Sequence, residues 1–329
     1  MLNDKKFLTL NQQMKYLRTD KKIICNGSKN KKILSRIGYF NLINGYKEPF
    51  VKNVENDVHV YFTGTNIEEL YAVKKFDDEL RLLLFKYITQ IEEEVRAVTA
   101  YKYDDVNERG KKEWHKVDAY EASVEIPKIE KTVSDINEEL SKVNRDYIDY
   151  YLNKHHFIPT WIMVKVIHFY TFIKFLEFSK NPVKNAVASL YGIFDDRGVP
   201  DFKVLVSSLH WLRTVRNACA HNERVFMLKQ KNSRVHTDYM NSLAPSYSKE
   251  RNRKIIDLLV YMKYYLSEKD YNSLIKNFIK LLTKLSQTIH NQAFDKVRVS
   301  LGIKDVNHIN ELRSAPKITP IDYCKIDKL

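Results

Sequence analysis

The stretch VKKFDDELRLLLFKYITQIEEEVRAV, residues 73–98, decides the fold class of this chain. Its apolar residues recur at spacings of three and four, which on a helix places them on one continuous face over about seven turns. The stripe consists of Val73, Phe76, Leu80, Leu84, Tyr87, Ile91, Val95 and Val98. An apolar stripe of this length predicts one central helix against which the rest of the chain packs.

Charged residues beside the stripe stand four apart, the spacing at which ion pairs form readily on a helix. Asp77 precedes Arg81 in this way, and Glu92 precedes Arg96. Upstream, the sequence Thr65-Asn66-Ile67-Glu68 has the pattern of a capping box, in which a hydroxyl and a carboxylate satisfy each other's backbone N–H groups. We therefore predict that the central helix begins immediately after Thr65.

The remaining sequence also favours helices, because only 8 glycines and 8 prolines interrupt 329 residues. Periodic segments predict helices at about 9–17, 28–36, 127–152, 160–178, 182–191, 249–266, 270–290, 294–301 and 306–312. The aromatic-rich segment 37–50 reads as a compact connection, and Val58–Phe62 as a short strand or an extended entry to the central helix. We predict a mainly α protein in three parts: an N-terminal segment 1–64, a helical core 65–245 and a C-terminal helical segment 246–329.

Charge and cysteine content limit the functional class. Lys and Arg number 55 against 41 acidic residues, a formal net charge of +14, which attracts polyanions such as nucleic acid. Solvated lysines on helix faces are the alternative source of this excess of positive charge.

The three cysteines, Cys25, Cys219 and Cys324, show neither disulfide nor zinc-ribbon spacing, which suits a reducing compartment. With no signal-like or membrane-spanning apolar run, the sequence predicts a cytoplasmic protein that does not enter a membrane.

The sequence RNACAHNER, residues 216–224, carries the strongest functional signal. It contains an R-x4-H pair, Arg216 and His221, in a helix expected to begin after Gly198-Val199-Pro200. At 100° per residue Arg216 falls on the apolar side of this helix and His221 on the opposite side. A buried guanidinium requires a carboxylate, a phosphate or a subunit boundary, and the central helix offers Glu92 or Glu94.

These residue types can cut RNA without a metal. A histidine near neutral pKa can take the proton from a 2′-hydroxyl or give one to the leaving oxygen, while an arginine binds the phosphate oxygens through two donors. His221 and Arg216 match these roles, and Asn217 can orient the imidazole or hydrogen-bond the substrate. Because five residues rise about 7.5 Å on a helix, one motif is half a site, and we predict a homodimer. The structural alternative is that Arg216 only pairs with the central helix and His221 only caps its own helix.

Other binding sites are weaker in the sequence. The basic segment that follows the motif contains Lys229, Lys231 and Arg234, which could track RNA phosphates or could simply lie in a solvated loop. His155 and His156 lack a partnered ligand set, and no glycine-rich phosphate loop occurs. The sequence predicts neither a metal nor a cofactor.

Several ordered landmarks together resemble the Abi-like (AbiD/AbiF) abortive-infection proteins of bacteria, which belong to the HEPN superfamily of helical RNA-acting proteins. They are Leu8-Thr9-Leu10-Asn11-Gln12-Gln13, Ile37-Gly38-Tyr39-Phe40-Asn41-Leu42, Gly45-Tyr46, Pro49-Phe50, Phe76-Asp77-Asp78-Glu79-Leu80-Arg81, Ile91-Glu92 with Arg96, Leu212-Arg213-Thr214-Val215-Arg216-Asn217-Ala218-Cys219-Ala220-His221-Asn222 and Leu301-Gly302-Ile303. These landmarks span nearly the whole chain.

The resemblance implies a HEPN-type helical bundle with N-terminal and C-terminal extensions, and a phage-defence toxin that acts by growth arrest or death. It further implies an R-x4-H endoribonuclease site, completed by dimerisation, that cuts single-stranded RNA. Carried over by position, the site residues are Arg216, Asn217 and His221, with Glu92 as a supporting acid. Some relatives are encoded beside a structured small RNA that binds and restrains the protein, as in a toxin–antitoxin pair. The alternative is a non-catalytic RNA-binding scaffold of a defence ribonucleoprotein.

Overall fold

The computed structural model describes residues 7–108, 113–195, 197–231, 252–305 and 307–314, and this part of the chain is mainly helical. Its α-helices are α1 (Leu10–Thr19), α2 (Gly27–Ile37), α3 (Ile67–Val106), α4 (Ile126–Ser141), α5 (Asp146–His155), α6 (Thr160–Val166), α7 (Phe169–Phe178), α8 (Asn181–Leu190), α9 (Phe202–Ala220), α10 (Ile255–Tyr265), α11 (Glu268–Ser286), α12 (Asn291–Leu301) and α13 (Asn307–Ser314). The prediction of a mainly α protein is confirmed. No helix in the described ranges is both long and apolar enough to cross a membrane.

Helix α3 is the predicted central helix, 40 residues long. Every residue of its apolar stripe, from Val73 to Val98, is buried. Helices α2, α6, α7, α8, α9 and α11 all pack against it. Its start differs from the prediction by one residue, because Asn66 and Glu69 form the capping box. The Thr65 hydroxyl instead donates a hydrogen bond to the carbonyl of Phe62. The shift arises because both residue pairs fit the pattern and only the local backbone decides between them.

Two predicted helices are each broken into two. Segment 127–152 forms α4 and α5, and segment 160–178 forms α6 and α7. The second break is held from outside, because Glu139 of α4 accepts hydrogen bonds from the His168 backbone N–H and the Thr171 hydroxyl, both at 2.6 Å. A carboxylate that caps a helix N-terminus from another element leaves no local sequence signal, so periodicity alone predicted one continuous helix.

The N-terminal region contains a hairpin of which the sequence predicted only the second strand. Strand β1 (Val51–Glu55) pairs antiparallel with β2 (Val58–Tyr61), and Asn56 and Asp57 form a two-residue turn with φ values of 47° and 63°. Two consecutive left-handed residues define a type I′ hairpin turn. Before the hairpin, segment 37–50 is compact as expected, with a π-helical turn (Phe40–Asn44) and a 3-10 turn (Glu48–Phe50).

The C-terminal helices pack against α9, α3 and the N-terminal region. Helix α10 is buried along its whole length and packs against α9 and α11, while α12 packs against the Glu48–Phe50 turn. A second short pair, β3 (Gln230–Lys231) and β4 (Asn252–Arg253), lies between α9 and α10. The boundaries predicted at 64 and 245 stay predictions.

Candidate functional site

Helix α9 places the motif residues at its C-terminal end. The helix begins at an Asp201 cap, whose carboxylate accepts the backbone N–H groups of Lys203 and Val204. It ends in a Schellman motif around Asn222, which adopts a left-handed φ of 57°. The Glu223 N–H donates to the Ala218 carbonyl at 2.9 Å and the Asn222 N–H to that of Cys219 at 3.3 Å. His221 is therefore the C-cap residue, and the need for a left-handed residue at the next position accounts for Asn222.

Arg216 is held by Glu92, one of the two carboxylates that the sequence offered as its partner. Its Nε donates to Glu92 Oε2 and its Nη2 to Glu92 Oε1, both at 3.1 Å, so the pair is bidentate. Its remaining nitrogen, Nη1, donates to the Asn217 side-chain oxygen at 3.0 Å. About 30% of the Arg216 side chain stays exposed. The guanidinium is thus fixed in orientation while one side of it remains open to solvent.

A second arginine shares the same carboxylate. Arg96 donates to Glu92 Oε1 from Nε at 3.2 Å and from Nη2 at 2.6 Å, which confirms the predicted i,i+4 pair. Its Nη1 donates to the Val164 carbonyl of α6, and its guanidinium lies over the ring of Phe172 at 4.9 Å. Burial lowers the pKa of Arg96, and the neighbouring Glu92 carboxylate offsets part of that shift. We call Glu92, Arg96 and Arg216 the Glu92 cluster.

The Glu92 cluster has more positive than negative charge. One carboxylate, itself buried, is bound by two guanidinium groups, so one positive charge is left without a carboxylate inside the cluster. The more exposed of the two cations is Arg216. An exposed cation that is already oriented by a buried acid is suited to bind an anion such as a phosphate, because little further ordering is needed.

His221 and Asn217 do not contact each other through their side chains. The Asn217 amide oxygen is occupied by Arg216, and its carbonyl accepts the His221 backbone N–H at 2.9 Å. The imidazole of His221 is exposed and, within the ranges that the structure describes, has no hydrogen-bond partner. The structure thus connects Glu92, Arg216 and Asn217, and leaves His221 one turn further on with its ring in solvent.

The segment after the motif is tied to α3 by a second acidic group, Asp77. Four donors converge on this fully buried carboxylate: the Tyr46 hydroxyl at 3.0 Å, Arg81 Nη1 at 2.8 Å, and the backbone N–H groups of Val225 and Phe226 at 3.1 and 2.9 Å. Burial raises the pKa of Asp77, and these donors offset part of that rise by stabilising the ionised form. We call Tyr46, Asp77 and Arg81 the Asp77 cluster.

The Asp77 cluster also fixes the end of the motif itself. Arg81 donates to the Glu223 carbonyl at 3.0 Å and makes a second ion pair with Asp78. Next to it, Arg224 donates to the Gly45 carbonyl at 2.8 Å. The sequence identified Asp77 and Arg81 only as a flanking ion pair, because their backbone partners lie about 150 positions away and carry no recognisable side-chain signal.

A cleft of about 1120 Å³ lies beside Arg216. One wall is the stretch of α3 from Thr89 to Asp105, and α6 contributes Trp161 and Lys165 on the other side. Arg216 and the rest of the Glu92 cluster also line it. The cleft was not predictable from the sequence, because its two walls come from segments about 60 residues apart.

The comparison with known families supports the resemblance over the landmarks that lie between Ile37 and Asn222. The model of one family, described as Abi-like protein, matches residues 32–227, well over half of the chain. The chain belongs to the Abi-like protein family. The matched region runs from α2 to the end of the motif segment and contains both the Asp77 and the Glu92 clusters. No curated protein and no solved structure matches the chain. Membership of the Abi-like family indicates a role in abortive infection, a form of defence against phage.

The basic residues after the motif are only partly described in this Abi-like chain. Lys229 is exposed, as a phosphate-tracking residue would be. Lys231 is the last residue of β3, and only its backbone is described. Arg234 lies outside the described residues. Their assignment to RNA binding stays a prediction.

Cys219, inside the motif, can be assigned a structural role. It is half-buried, and burial raises its pKa to about 12. A thiol with that pKa stays protonated near neutral pH and is a poor nucleophile. Among the described residues, no three His, Cys, Asp or Glu side chains are grouped so that they could hold a metal ion.

Proposed function

We propose that this chain is an abortive-infection toxin of the HEPN type that cuts single-stranded RNA through Arg216 and His221. The observation that carries the proposal is the Glu92 cluster, in which one buried carboxylate orients the partly exposed Arg216 guanidinium while it also pairs with Arg96. Phosphate is the anion that RNA presents at such a position. The exposed imidazole of His221 stands at the end of the same helix.

The proposed reaction is transfer of the phosphate to the neighbouring 2′-oxygen. A base takes the proton from the 2′-hydroxyl, the O2′–P bond forms, the P–O5′ bond breaks, and an acid gives a proton to the departing 5′-oxygen. The products are a 2′,3′-cyclic phosphate and a 5′-hydroxyl. Arg216 binds the non-bridging oxygens, whose negative charge grows in the transition state, and His221 serves as the base or the acid. Asn217, held by Arg216, limits the rotation of the guanidinium.

We further propose that two copies of the chain form the complete site, since one histidine cannot act as base and acid in the same step. Leu82 and Phe85 support an interface next to the motif, because both apolar side chains are exposed on α3. They lie between Arg81 and Glu92, the two residues of α3 that hold the ends of the motif segment. A symmetric dimer across this face would bring a second His221 and a second Arg216 to the same RNA strand.

The positive charge of the chain supports RNA as the partner, and an accompanying structured small RNA of the AbiD/AbiF type is part of the proposal. With a formal charge of +14, association with any RNA should weaken as salt rises. If about six phosphates are neutralised, the log–log slope would be on the order of −4 to −5. A response to salt that is flat would contradict an electrostatic role for this charge.

A second candidate function is a non-catalytic RNA-binding scaffold. It is favoured by the same bidentate pair, because all three nitrogens of the Arg216 guanidinium already have partners within the protein. In that case Arg216 holds α9 on α3, and the exposed His221 has no chemical role.

Cleavage assays in EDTA distinguish the two functions. A 5′-labelled single-stranded RNA is incubated with wild type, with His221→Ala and, as a matched control, with His210→Ala. His210 is on the same helix but packs against Tyr170, away from the motif. We expect wild type and His210→Ala to produce fragments ending in a 2′,3′-cyclic phosphate and His221→Ala to bind RNA without cutting it. Equal cleavage by wild type and His221→Ala would refute the proposed mechanism, and binding without cleavage by wild type would favour the scaffold.

A further inference from the structure

The cleft beside Arg216 has walls that do not suit a phosphate backbone. Beyond the Glu92 cluster, the charged residues that line it in the described part of the chain are Glu93, Asp104 and Asp105 and the cation Lys165. Two of these groups have local partners: Asp105 contacts Lys102 at 3.4 Å, and the Lys165 ammonium lies over the ring of Tyr147. The surplus of carboxylates makes this lining negative, and a row of phosphates along it would be repelled.

The same lining contains two large aromatic side chains that are exposed. Trp161 is 56% exposed and Tyr101 is 49% exposed, and both line the cleft. Indole and phenol rings are the groups on which unpaired RNA bases stack, and stacking accepts every base because each has a flat face. An aromatic and acidic surface of this kind fits a nucleobase, which is flat and uncharged, better than it fits the sugar–phosphate chain.

The position of Trp161 is fixed relative to Arg216. Val164 lies one helical turn after Trp161, and its carbonyl accepts a hydrogen bond from Arg96. Arg96 and Arg216 both donate to the Glu92 carboxylate. A base stacked on Trp161 would therefore belong to a nucleotide close to the phosphate at Arg216. The two walls also approach each other further along: burial raises the pKa of Asp104 on α3, and the side chain of Thr160, the residue before Trp161, offsets part of that rise.

The carboxylates distinguish among bases. A carboxylate only accepts hydrogen bonds, so it favours the exocyclic amino group of cytosine, adenine or guanine and disfavours the carbonyl edge of uracil. Cytosine and uracil have rings of the same size, and the group at C4 is amino in one and carbonyl in the other. Asp104 is half-buried, and its hydrogen bonds are therefore less weakened by competing water.

We propose that this cleft is a subsite for one unstacked nucleobase that carries an exocyclic amino group, with Trp161 as the stacking surface and Asp104 as the hydrogen-bond acceptor. The proposal rests on the endoribonuclease function, since it assigns the base of the nucleotide beside the phosphate at Arg216. It makes Trp161 and Asp104 the residues that determine sequence preference. Neither takes part in proton transfer.

The intrinsic fluorescence of the protein reports on this subsite directly. Of its three tryptophans, Trp114 is 3% exposed and Trp211 is fully buried, so Trp161 is the one that a ligand can quench. His221→Ala protein, which should bind without cutting, is titrated with the RNA hexamers C6 and U6. We expect C6 to quench the emission at a concentration at least about tenfold below that needed for U6. Trp161→Phe should remove the quenching.

Two variants test the assignment of roles. Asp104→Asn should bring the C6 and U6 midpoints within about twofold of each other, because an amide can donate to a carbonyl as well as accept from an amino group. The control Glu79→Gln, a carboxylate of α3 outside the cleft that pairs with Lys284, should leave the tenfold preference unchanged. Equal midpoints for C6 and U6 before any substitution in the cleft, or a preference that survives Asp104→Asn, would overturn the proposal.

The outcomes separate this inference from the catalytic one. Quenching by C6 in a protein whose wild type never cuts RNA would retain the base subsite and refute the endoribonuclease. Cleavage by wild type without preferential quenching by C6 would refute the subsite alone. Emission from Trp161 that shifts on dilution of the free protein, with no response to either hexamer, would mean that a second copy covers the cleft and would also overturn the proposal.

Discussion

Two acid–arginine pairs on α3 share one sequence pattern but have opposite surroundings. In both pairs an acid is followed four positions later by an arginine, Asp77 with Arg81 and Glu92 with Arg96. In the Asp77 cluster all four donors to the carboxylate come from the protein interior, and Arg81 is shared between two acids. In the Glu92 cluster the ratio of arginines to acids is reversed, because two guanidinium groups share one carboxylate.

The difference indicates that the Asp77 cluster fixes the end of the motif segment, whereas the Glu92 cluster keeps Arg216 accessible to a ligand. The Asp77 cluster satisfies its own charges and binds backbone groups of residues 223–226, so it has nothing left for a ligand. The Glu92 cluster keeps a partly exposed cation next to a cleft. We therefore expect substitutions in the first cluster to affect mainly stability, and those in the second to affect RNA cleavage together with a smaller change in stability.

The largest stability effect should come from Asp77→Ala. The substitution leaves the Arg81 guanidinium, the Tyr46 hydroxyl and two backbone N–H groups buried without their acceptor, which should lower the free energy of unfolding by about 3–5 kcal/mol. Urea unfolding followed by circular dichroism measures this. The control is Glu79→Ala, which breaks the exposed pair with Lys284 and should change stability by less than about 1 kcal/mol. Equal effects of the two substitutions would contradict the role assigned to Asp77.

The burial of the region around the Asp77 cluster can be measured at Cys219, because the charges of Arg81 and Asp77 act on its thiol. Only the thiolate reacts with iodoacetamide, and a pKa of about 12 leaves about a thousandfold less thiolate at pH 8 than the ordinary value of 9.0 would. In a Cys25→Ser/Cys324→Ser protein, alkylation should rise about tenfold per pH unit from 8 to 10 without levelling off. A plateau near pH 9 would show an exposed, ordinary thiol.

Coupling between Glu92 and Arg216 should be intermediate in size. In wild type, Arg216→Ala removes a bidentate pair and should lower the free energy of unfolding by about 1.5–3 kcal/mol. In a Glu92→Gln background it also removes a cation that has lost its acid, so its effect should be near zero or stabilising. A double-mutant cycle that gives less than about 0.5 kcal/mol of coupling would mean that Glu92 does not hold Arg216 in solution.

The smallest effect should be at Asn222, the left-handed residue that ends α9. Asn222→Gly should leave stability unchanged within about 0.5 kcal/mol, whereas Asn222→Ala should cost about 1 kcal/mol because a Cβ disfavours this backbone conformation. Neither variant should change RNA cleavage once corrected for the folded fraction. A specific loss of cleavage in Asn222→Gly would give the amide a chemical role that its position in the Schellman motif does not require.

Helical periodicity predicted the parts of this architecture that depend on local sequence. The stripe from Val73 to Val98 and the pairing of Glu92 with Arg96 follow from which side of a helix a residue occupies. The same reasoning placed Arg216 on the apolar side of its helix and offered Glu92 or Glu94 as its partner, and the structure selects Glu92. The motif at the end of a helix was predicted in the same way.

Features that depend on distant contacts were not predictable. The break before α7 is held by Glu139 from another helix, and Asp77 binds backbone N–H groups about 150 residues away. Backbone donors look the same in every sequence, so periodicity cannot indicate where they go. The hairpin turn at Asn56 and Asp57 did carry a local signal, because these two residue types tolerate left-handed backbone and stand between alternating valines.

The role of Arg216 in cleavage is tested by comparing Arg216→Lys with Arg81→Lys in single-turnover cleavage of single-stranded RNA in EDTA, with urea unfolding of the same samples. Lysine keeps the charge but loses the bidentate geometry. We predict that Arg216→Lys lowers the cleavage rate by about a hundredfold or more, while its stability stays within about 1 kcal/mol of wild type. Arg81→Lys should lose about 2 kcal/mol of stability and keep the cleavage rate of its folded fraction. Cleavage by Arg216→Lys within about threefold of wild type would refute the role of the Arg216 guanidinium in RNA cleavage.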